Sequence, residues 1–505
     1  MISVFVAFFL VAVLAIFANG RKLLDYYVFV RRIRRLPRIS PHRFILGNSY
    51  EFWTNPNFTE YYQSMTRETE NKGGMAVLWI SYYPILLITS WKHTPRILGN
   101  RKFLSRGWPS KKLTGGFNGL ISLEDSRWKA HRALISPSFS PKILDSFIPT
   151  LIKYTQNIVA DLEKSRGKII DPMPIFEHHI ISILLETSLG LNDEMNDEER
   201  LDLKSCMKNL INSNIDFITQ SFILLACKKT LLKLSGWIRS EESDKRKFIR
   251  YAMRIIKFRL SKFHGKRDDT SYETQRNRDR AFLDSLLSSQ IDQTGKDSID
   301  YRWLINELAN IMEASYETII ISTLWFLYNM SNNPDIQEKL FEELFDFDES
   351  NESMTASQIN ELKFLDQCVR ENLRIHPPVA CLSRRISEEI EINGYSIPAG
   401  TLTATSIYSI HHDGKIYPDP EQFDPSRFDP DNITKIPPGA YIPFGDGPRR
   451  CIGERLGLLE SKIILSSIIK NFRIITSKEN NVKVKIDLRT TFMNPVKFYF
   501  IPRSS

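Results

Sequence analysis

The chain has 505 residues, of which 42% are hydrophobic and 25% charged, with no low-complexity tract; this composition excludes a disordered or fibrous protein. The net charge of +9 favours an anionic lipid surface or an acidic protein partner, and no zinc-finger spacing or aromatic–basic motif accompanies it, so nucleic acid is not an expected ligand. Five cysteines, Cys206, Cys227, Cys368, Cys381 and Cys451, lie far apart without a CxxC pair, which argues against a disulfide framework or zinc site and suits a reducing compartment.

The first element is the apolar run ISVFVAFFLVAVLAIFA at residues 2–18, followed by Arg21, Lys22 and RRIRRLPR from Arg31. The run is about long enough to cross a bilayer. A cleaved signal peptide carries its positive charge before the apolar run, whereas here the charge follows. The expectation is an uncleaved transmembrane anchor over residues 1–20, with the remainder on the cytosolic side. Residues 21–45 read as a basic linker stiffened by Pro37 and Pro41. Residues 46–505 read as one large domain, mainly α with two small β-sheets. With a cytosolic body, the sequons at Asn57, Asn329, Asn351 and Asn432 stay unglycosylated.

Within the body, GGMAVLWISYYPILLITS at 73–90 reads as two strands around a turn near Tyr83 and Pro84. Helical patterns follow at 127–135, 141–165, 301–331 and 333–347. The third is apolar on nearly all sides and is expected to run through the core. Segment 222–238 reads equally as a core-packed amphipathic helix or as one that dips into the bilayer. The polar stretch 264–280 and the acidic stretch 346–357 read as surface loops. EIEINGYSIPAGT at 389–401 carries Asn393-Gly394, the strongest short hairpin signal.

PFGDGPRRCIGERLG, at 443–457, sets one cysteine among glycines and arginines just before a helical repeat of Ile452, Leu456, Leu459 and Ile463. A thiolate is a soft metal ligand, and it needs positive potential to stay deprotonated. A helix N-terminus supplies that potential, and Gly445, Gly447 and Gly453 let the backbone turn tightly. The alternative is a buried cysteine in a glycine-rich turn. The full spacing Phe444, Gly447, Arg449, Cys451, Gly453 resembles the haem-binding loop of the cytochrome P-450 family. The resemblance implies Cys451 as axial iron ligand, Phe444 beside the thiolate, and Arg449 on a haem propionate.

Other motifs follow the same order as in that family. Glu371 and Arg374 stand at E-x-x-R spacing, one helical turn apart, and Arg427 lies in PSRF. The resemblance implies a buried network of the three behind the haem loop. Trp128 and Arg132, at W-x-x-x-R spacing, and Arg384 are the implied propionate contacts. In the long apolar helix, Ala314-Ser315-Tyr316-Glu317-Thr318-Ile319 matches the family's oxygen-activating segment. Glu317 and Thr318 are the implied acid–alcohol pair for proton delivery; a lone threonine there otherwise bonds back to its own helix. Ser315 stands where the family has glycine, and Ile319 where it has a second threonine.

The chain is most similar to the fourth family and its insect relatives. Members of that group often place a glutamate, in some linked covalently to haem, where this chain has Ala314. Glu313 is one residue off, a rotation of about 100° on the helix, so non-covalent haem b is expected. Ala314, Val379 and Ala380 are the expected substrate-pocket residues. The implied activity is hydroxylation or epoxidation of an apolar substrate (fatty acid, hormone, terpenoid or xenobiotic) at the endoplasmic reticulum membrane. No flavin or nicotinamide fingerprint is present, so electrons are expected from NADPH-cytochrome P-450 reductase, with cytochrome b5 as a second candidate donor. The alternatives are a haem-thiolate isomerase or dehydratase, and a non-enzymatic haem-containing binder.

Overall fold

The computed structural model describes residues 20–503 except 44–45, 56, 192–194, 221–236, 265–280, 295–298, 348–354 and 478–479. The expected anchor, Cys227, most of segment 222–238 and nearly all of loop 264–280 lie outside the described residues. Among the described residues, no helix is long and apolar enough to cross a membrane. Residues 20–33 are helical. The chain then runs along the body: the Ile39 amide donates to the Val77 carbonyl at 3.0 Å, and the Val77 amide to the Pro37 carbonyl at 2.7 Å.

The body is mainly helical. The expectation of two sheets is corrected to four among the described residues. The strands are β1 (Met75–Ile80), β2 (Tyr83–Ile88), β3 (Ile169–Ile170), β4 (Cys381–Arg385), β5 (Ile390–Ile392), β6 (Tyr395–Ile397) and β7 (Leu402–Ser406), then β8 (Phe472–Thr476), β9 (Val484–Ile486), β10 (Thr490–Phe492) and β11 (Phe498–Pro502). The largest sheet has the order β1-β2-β7-β4, with β2 and β7 parallel. The others are β3-β11-β8, β9-β10 and β5-β6. The β1–β2 hairpin turns at Ser81, which takes a positive φ of 54°. The β5–β6 hairpin turns on Asn393 and Gly394, both at positive φ, as a two-residue type I′ turn requires.

The central helix Tyr301–Asn332 opens on Asp300, whose side chain accepts from the Trp303 amide, and it is buried over most of its length. It packs against the helices Met173–Leu189, Lys363–Ile375 and Glu454–Asn471. Trp325 is fully buried, stacked between His376 and Phe492 with ring centroids at 3.6 and 3.7 Å. Its indole N–H donates to the Thr490 carbonyl at 2.8 Å, which fastens the β9–β10 region to the central helix. That region, the central helix and the loop before Glu454 all line one interior cavity, described next.

Candidate functional site

The loop ahead of Glu454 is built by short local bonds. The Gly445 amide donates to the Ile442 carbonyl at 2.9 Å, and the Cys451 amide to the Phe444 carbonyl at 2.9 Å. Residues Gly447–Arg449 form a single 3-10 turn. Gly447 has φ +67°, and a Cβ there would sit 2.3 Å from the Leu98 carbonyl oxygen, so only glycine fits. Gly453 has no such constraint: its nearest foreign contacts for an added Cβ are Phe139 at 3.8 Å and the Cys451 Sγ at 4.0 Å. The tight turn expected of these glycines demands a positive φ at Gly445 and Gly447, whereas Gly453, at φ −87°, is the N-cap of the helix Glu454–Asn471. Cys451 therefore stands two residues before the cap.

Cys451 opens onto an interior cavity of about 490 Å³, also lined by Phe444, Trp128, Arg106, Arg132 and Arg449. The exposed surface of Cys451 is cavity surface; the residue itself is deep inside the protein. Burial pushes its thiol above the usual value, and the Gly453 amide, Arg106 and Arg132 pull it back down.

Arg449 is buried and lies over the Trp128 ring, 4.7 Å from its centroid. It gives Nη1 to the carbonyls of Leu104 and Leu123 at 2.6 and 2.7 Å, and Nη2 to those of Leu120 and Ile121 at 3.1 and 3.0 Å. Its Nε has no partner among the described residues, nor do Arg106 Nε and Arg384 Nε and Nη2. Arg132 gives Nη1 to the Arg450 carbonyl at 3.0 Å. Arg384 is fully buried beside Arg106 without itself lining the cavity. Burial, then the neighbouring guanidiniums Arg106, Arg384 and Arg132, press Arg449 down to about 7. Burial and Arg106 lower Arg384 to about 9. So many buried cations with unpartnered N–H groups are stable only beside an anion. Haem fits this arrangement: two carboxylates for the guanidiniums, an apolar macrocycle for the apolar walls, and iron for the thiol. Arg106 was not foreseen, because FLSRGWP carries no motif.

Behind the loop, Glu371 and Arg374 are both fully buried and paired twice, Nε to Oε2 at 2.7 Å and Nη2 to Oε1 at 2.8 Å. Arg374 also donates to the His411 carbonyl at 2.8 Å and the Pro420 carbonyl at 2.7 Å. Arg427 brings Nε to 3.3 Å from Glu371 Oε1 and donates Nη2 to the Pro418 carbonyl at 2.6 Å. The expected trio is thus assembled. A fourth member, His411, was not foreseen: its Nε2 accepts the Ile442 amide at 2.9 Å, joining the trio to the loop that bears Cys451.

On the far side of the cavity, Glu313, Ala314, Ser315, Glu317, Thr318 and Ile319 of the central helix all line it. Glu313, expected to turn away from the Ala314 position, faces the same cavity. Thr318 does bond back to its own helix, Oγ1 to the Ala314 carbonyl at 2.7 Å, while still lining the cavity. Ser315 does likewise to the Ile311 carbonyl at 2.7 Å. Glu317 is held by Arg489, Nη1 to Oε1 at 2.5 Å, and Arg489 is itself held by Asp487. Burial raises the Glu317 carboxyl, and Arg489 opposes it. Neither Arg489 nor Asp487 belongs to a recognisable motif.

Val379 lines the cavity as expected, but Ala380 does not. Ala380 is fully buried, its amide donating to the Leu488 carbonyl at 3.0 Å and its own carbonyl accepting from Ile407 at 2.9 Å. These bonds pack Ala380 between the Leu488 and Ile407 backbones, away from the cavity surface.

A family model described as cytochrome P450 matches residues 37–502. Cytochrome P450 4c21 of Blattella germanica is 28% identical over 396 residues, 76% of this chain and 77% of the relative. Cytochrome P450 4V2 of Rattus norvegicus is 28% identical over 462 residues, 89% of this chain and 86% of the relative. Similarity extends beyond the fourth family: cytochrome P450 3A2 of Rattus norvegicus is 29% identical over 382 residues, 74% of this chain and 73% of the relative.

Proposed function

This chain belongs to the cytochrome P450 family, and from that premise we propose that it is a membrane-bound monooxygenase that hydroxylates or epoxidises an apolar substrate with reductase-delivered electrons. The family membership makes it a haem-thiolate monooxygenase with non-covalent haem b. The observation that carries the reading is the sharing of one largely apolar cavity by Cys451, the guanidiniums of Arg106, Arg132 and Arg449, and the Glu317–Thr318 pair.

Cys451 is the proposed iron ligand. Arg106, Arg132, Arg449 and Trp128, with Arg384 behind them, are the proposed partners of the propionate edge. Bound there, haem supplies the binding and reductive activation of O₂, with thiolate donation favouring O–O cleavage. Thr318 lines the cavity and donates its hydroxyl proton to the Ala314 carbonyl. Glu317 holds a proton-exchanging carboxyl one residue away, positioned by Arg489. For the pair to deliver a proton, the Thr318 hydroxyl turns from the Ala314 carbonyl and donates into the cavity, while its oxygen takes a replacement proton from the Glu317 side.

The apolar run at 2–18, with positive charge after it, supports an anchor in the endoplasmic reticulum membrane and a cytosolic body. The basic balance suits the acidic face of NADPH-cytochrome P450 reductase, with cytochrome b5 as a second donor.

The test is the carbon monoxide difference spectrum of the reduced full-length protein in detergent, beside Cys451→Ser. The expected result is a red-shifted thiolate Soret band that the variant lacks. A band at the position of a neutral ligand in fresh wild-type protein overturns the reading. Substrate-dependent NADPH consumption with a reductase then separates a monooxygenase from an isomerase or a binder.

A further inference from the structure

The substrate end of the cavity has a charge pattern of its own. Glu313 and Glu317 lie one turn apart on the central helix and line the cavity together with Asp487 and Arg489. Arg489 is the only cation among these four, and its fork is nearly used up. Nε donates to Asp487 Oδ1 at 3.2 Å and Nη2 to Asp487 Oδ2 at 3.0 Å. Nη1 serves both Asn212 Oδ1 at 3.1 Å and Glu317 Oε1 at 2.5 Å. With five N–H groups on a guanidinium, one remains, too few for a two-pronged grip on a carboxylate.

The neighbouring cations are also engaged. Lys208 is paired with Glu177 at 2.6 Å. Lys485 reaches Asp487 at 3.5 Å from the solvent side, where it is screened. The guanidiniums at the other end are the proposed partners of the haem carboxylates. Glu313 differs from all of these: it is enclosed within the protein, it lines the cavity, and its carboxyl has no hydrogen-bond or ion-pair partner among the described residues. Three carboxyls face one arginine here; burial, then Glu317, pushes the Glu313 carboxyl up to about 8, so it keeps its proton until a cation beside it draws that proton off.

We propose that Glu313 is a specificity-determining residue that recognises the cationic nitrogen of an apolar amine, and that this cavity discriminates against carboxylates such as free fatty acids. An ammonium beside Glu313 supplies the missing counter-charge in a site of low dielectric, where an ion pair gains most. A carboxylate in the same place meets Glu313 and Glu317 and finds no open fork. The inference rests on the monooxygenase reading for the identity of the cavity as a substrate site.

The test uses full-length, haem-loaded protein in a non-ionic detergent. Octyltrimethylammonium and octanoate are titrated by calorimetry and by perturbation of the Soret band. The quaternary nitrogen has no lone pair and cannot ligate iron, and its charge does not vary with pH. The expected result is at least about tenfold tighter binding of the ammonium than of octanoate. Glu313→Gln is expected to abolish that preference, and Glu313→Asp to retain part of it. Octanoate binding as tightly as the ammonium, no measurable binding of the ammonium, or a preference that survives in Glu313→Gln overturns the proposal. Each variant is first shown to keep the thiolate carbon monoxide band, so that a damaged fold is not read as lost recognition. Absence of that band in wild-type protein is a failure of the monooxygenase reading, distinct from a failure of this one.

Discussion

Arg374 and His411 hold each other twice: Arg374 Nη1 donates to the His411 carbonyl at 2.8 Å, and His411 Nδ1 donates to the Arg374 carbonyl at 3.1 Å. Burial, then the Arg374 charge, lowers His411 to about 3, so the ring is neutral at physiological pH. With the proton on Nδ1, Nε2 is free to accept the Ile442 amide at 2.9 Å. One neutral ring therefore ties the buried Glu371–Arg374 pair to the loop that presents Cys451. His411→Phe keeps the volume and removes both bonds, leaving the Ile442 amide and the Arg374 carbonyl without these partners. The expected cost is about 1–3 kcal/mol in urea unfolding. A larger share of the carbon monoxide band at the neutral-ligand position is also expected. An unchanged band ratio would mean the loop holds its shape without the histidine.

The Glu371–Arg374–Arg427 network is unequal in its parts. Glu371 and Arg374 are wholly buried, whereas Arg427 sits at the rim with 11% of its side chain exposed. Glu371→Gln leaves a buried guanidinium without its counter-ion, a loss of about 3–5 kcal/mol. Arg427→Gln is expected to cost about 1–2 kcal/mol, as the loss of charge-assisted bonds at a partly solvated edge. Thermal unfolding of the two haem-loaded variants checks the order. Equal losses would show that Arg427 contributes as much as the central pair.

Much of this was legible in local pattern. Asn393-Gly394 announced its hairpin because two positive-φ positions demand that chemistry. The apolar run at 301–331 announced a core helix, and the spacing around Cys451 announced its loop. The C-terminal strands β8 to β11 went unread. β9 and β10 are only three residues long and pair with each other, whereas β11 pairs with β8 and with β3, which is distant in sequence. Arg106, His411 and Arg489 went unread for another reason. Nothing beside them in sequence marks them; their roles come from burial and from partners supplied by other elements. Ala380 lies off the cavity because no motif fixes a pocket residue and its backbone partners, Leu488 and Ile407, are not neighbours in sequence.

The loop glycines can be separated by experiment. An alanine at 447 would put its Cβ 2.3 Å from the Leu98 carbonyl oxygen and 2.6 Å from the Gly99 Cα, at φ +67°. Both obstacles are backbone, which cannot swing aside. Gly447→Ala is expected to cost more than about 2 kcal/mol and to lower haem retention. At position 453, φ is −87° and the nearest obstacle is 3.8 Å away, so Gly453→Ala is expected to cost less than about 1 kcal/mol. Urea unfolding and the ratio of Soret to protein absorbance measure both. Similar behaviour of the two variants would remove the steric explanation.

Glu460, on the helix Glu454–Asn471, is 6% exposed and lines the cavity. Burial pushes its carboxyl up to about 8, and no cation opposes the shift. In the unfolded chain a glutamate titrates near 4.3. Below that value both states are protonated and the group has no net effect. Between about pH 4.3 and 8 the unfolded chain releases a proton that the folded chain retains. Stability attached to this group therefore falls as pH rises, at up to about 1.4 kcal/mol per pH unit, and levels off above the folded value. Glu460→Gln keeps the shape without the titration. Its melting temperature is expected to match wild type near pH 4.5, to exceed it increasingly toward pH 8, and to keep a constant lead beyond. A lead that does not grow with pH would mean that Glu460 is already ionised in the folded protein. The carboxylate would then have a counter-charge within the occupied cavity, and the apolar character assigned to this wall would be wrong.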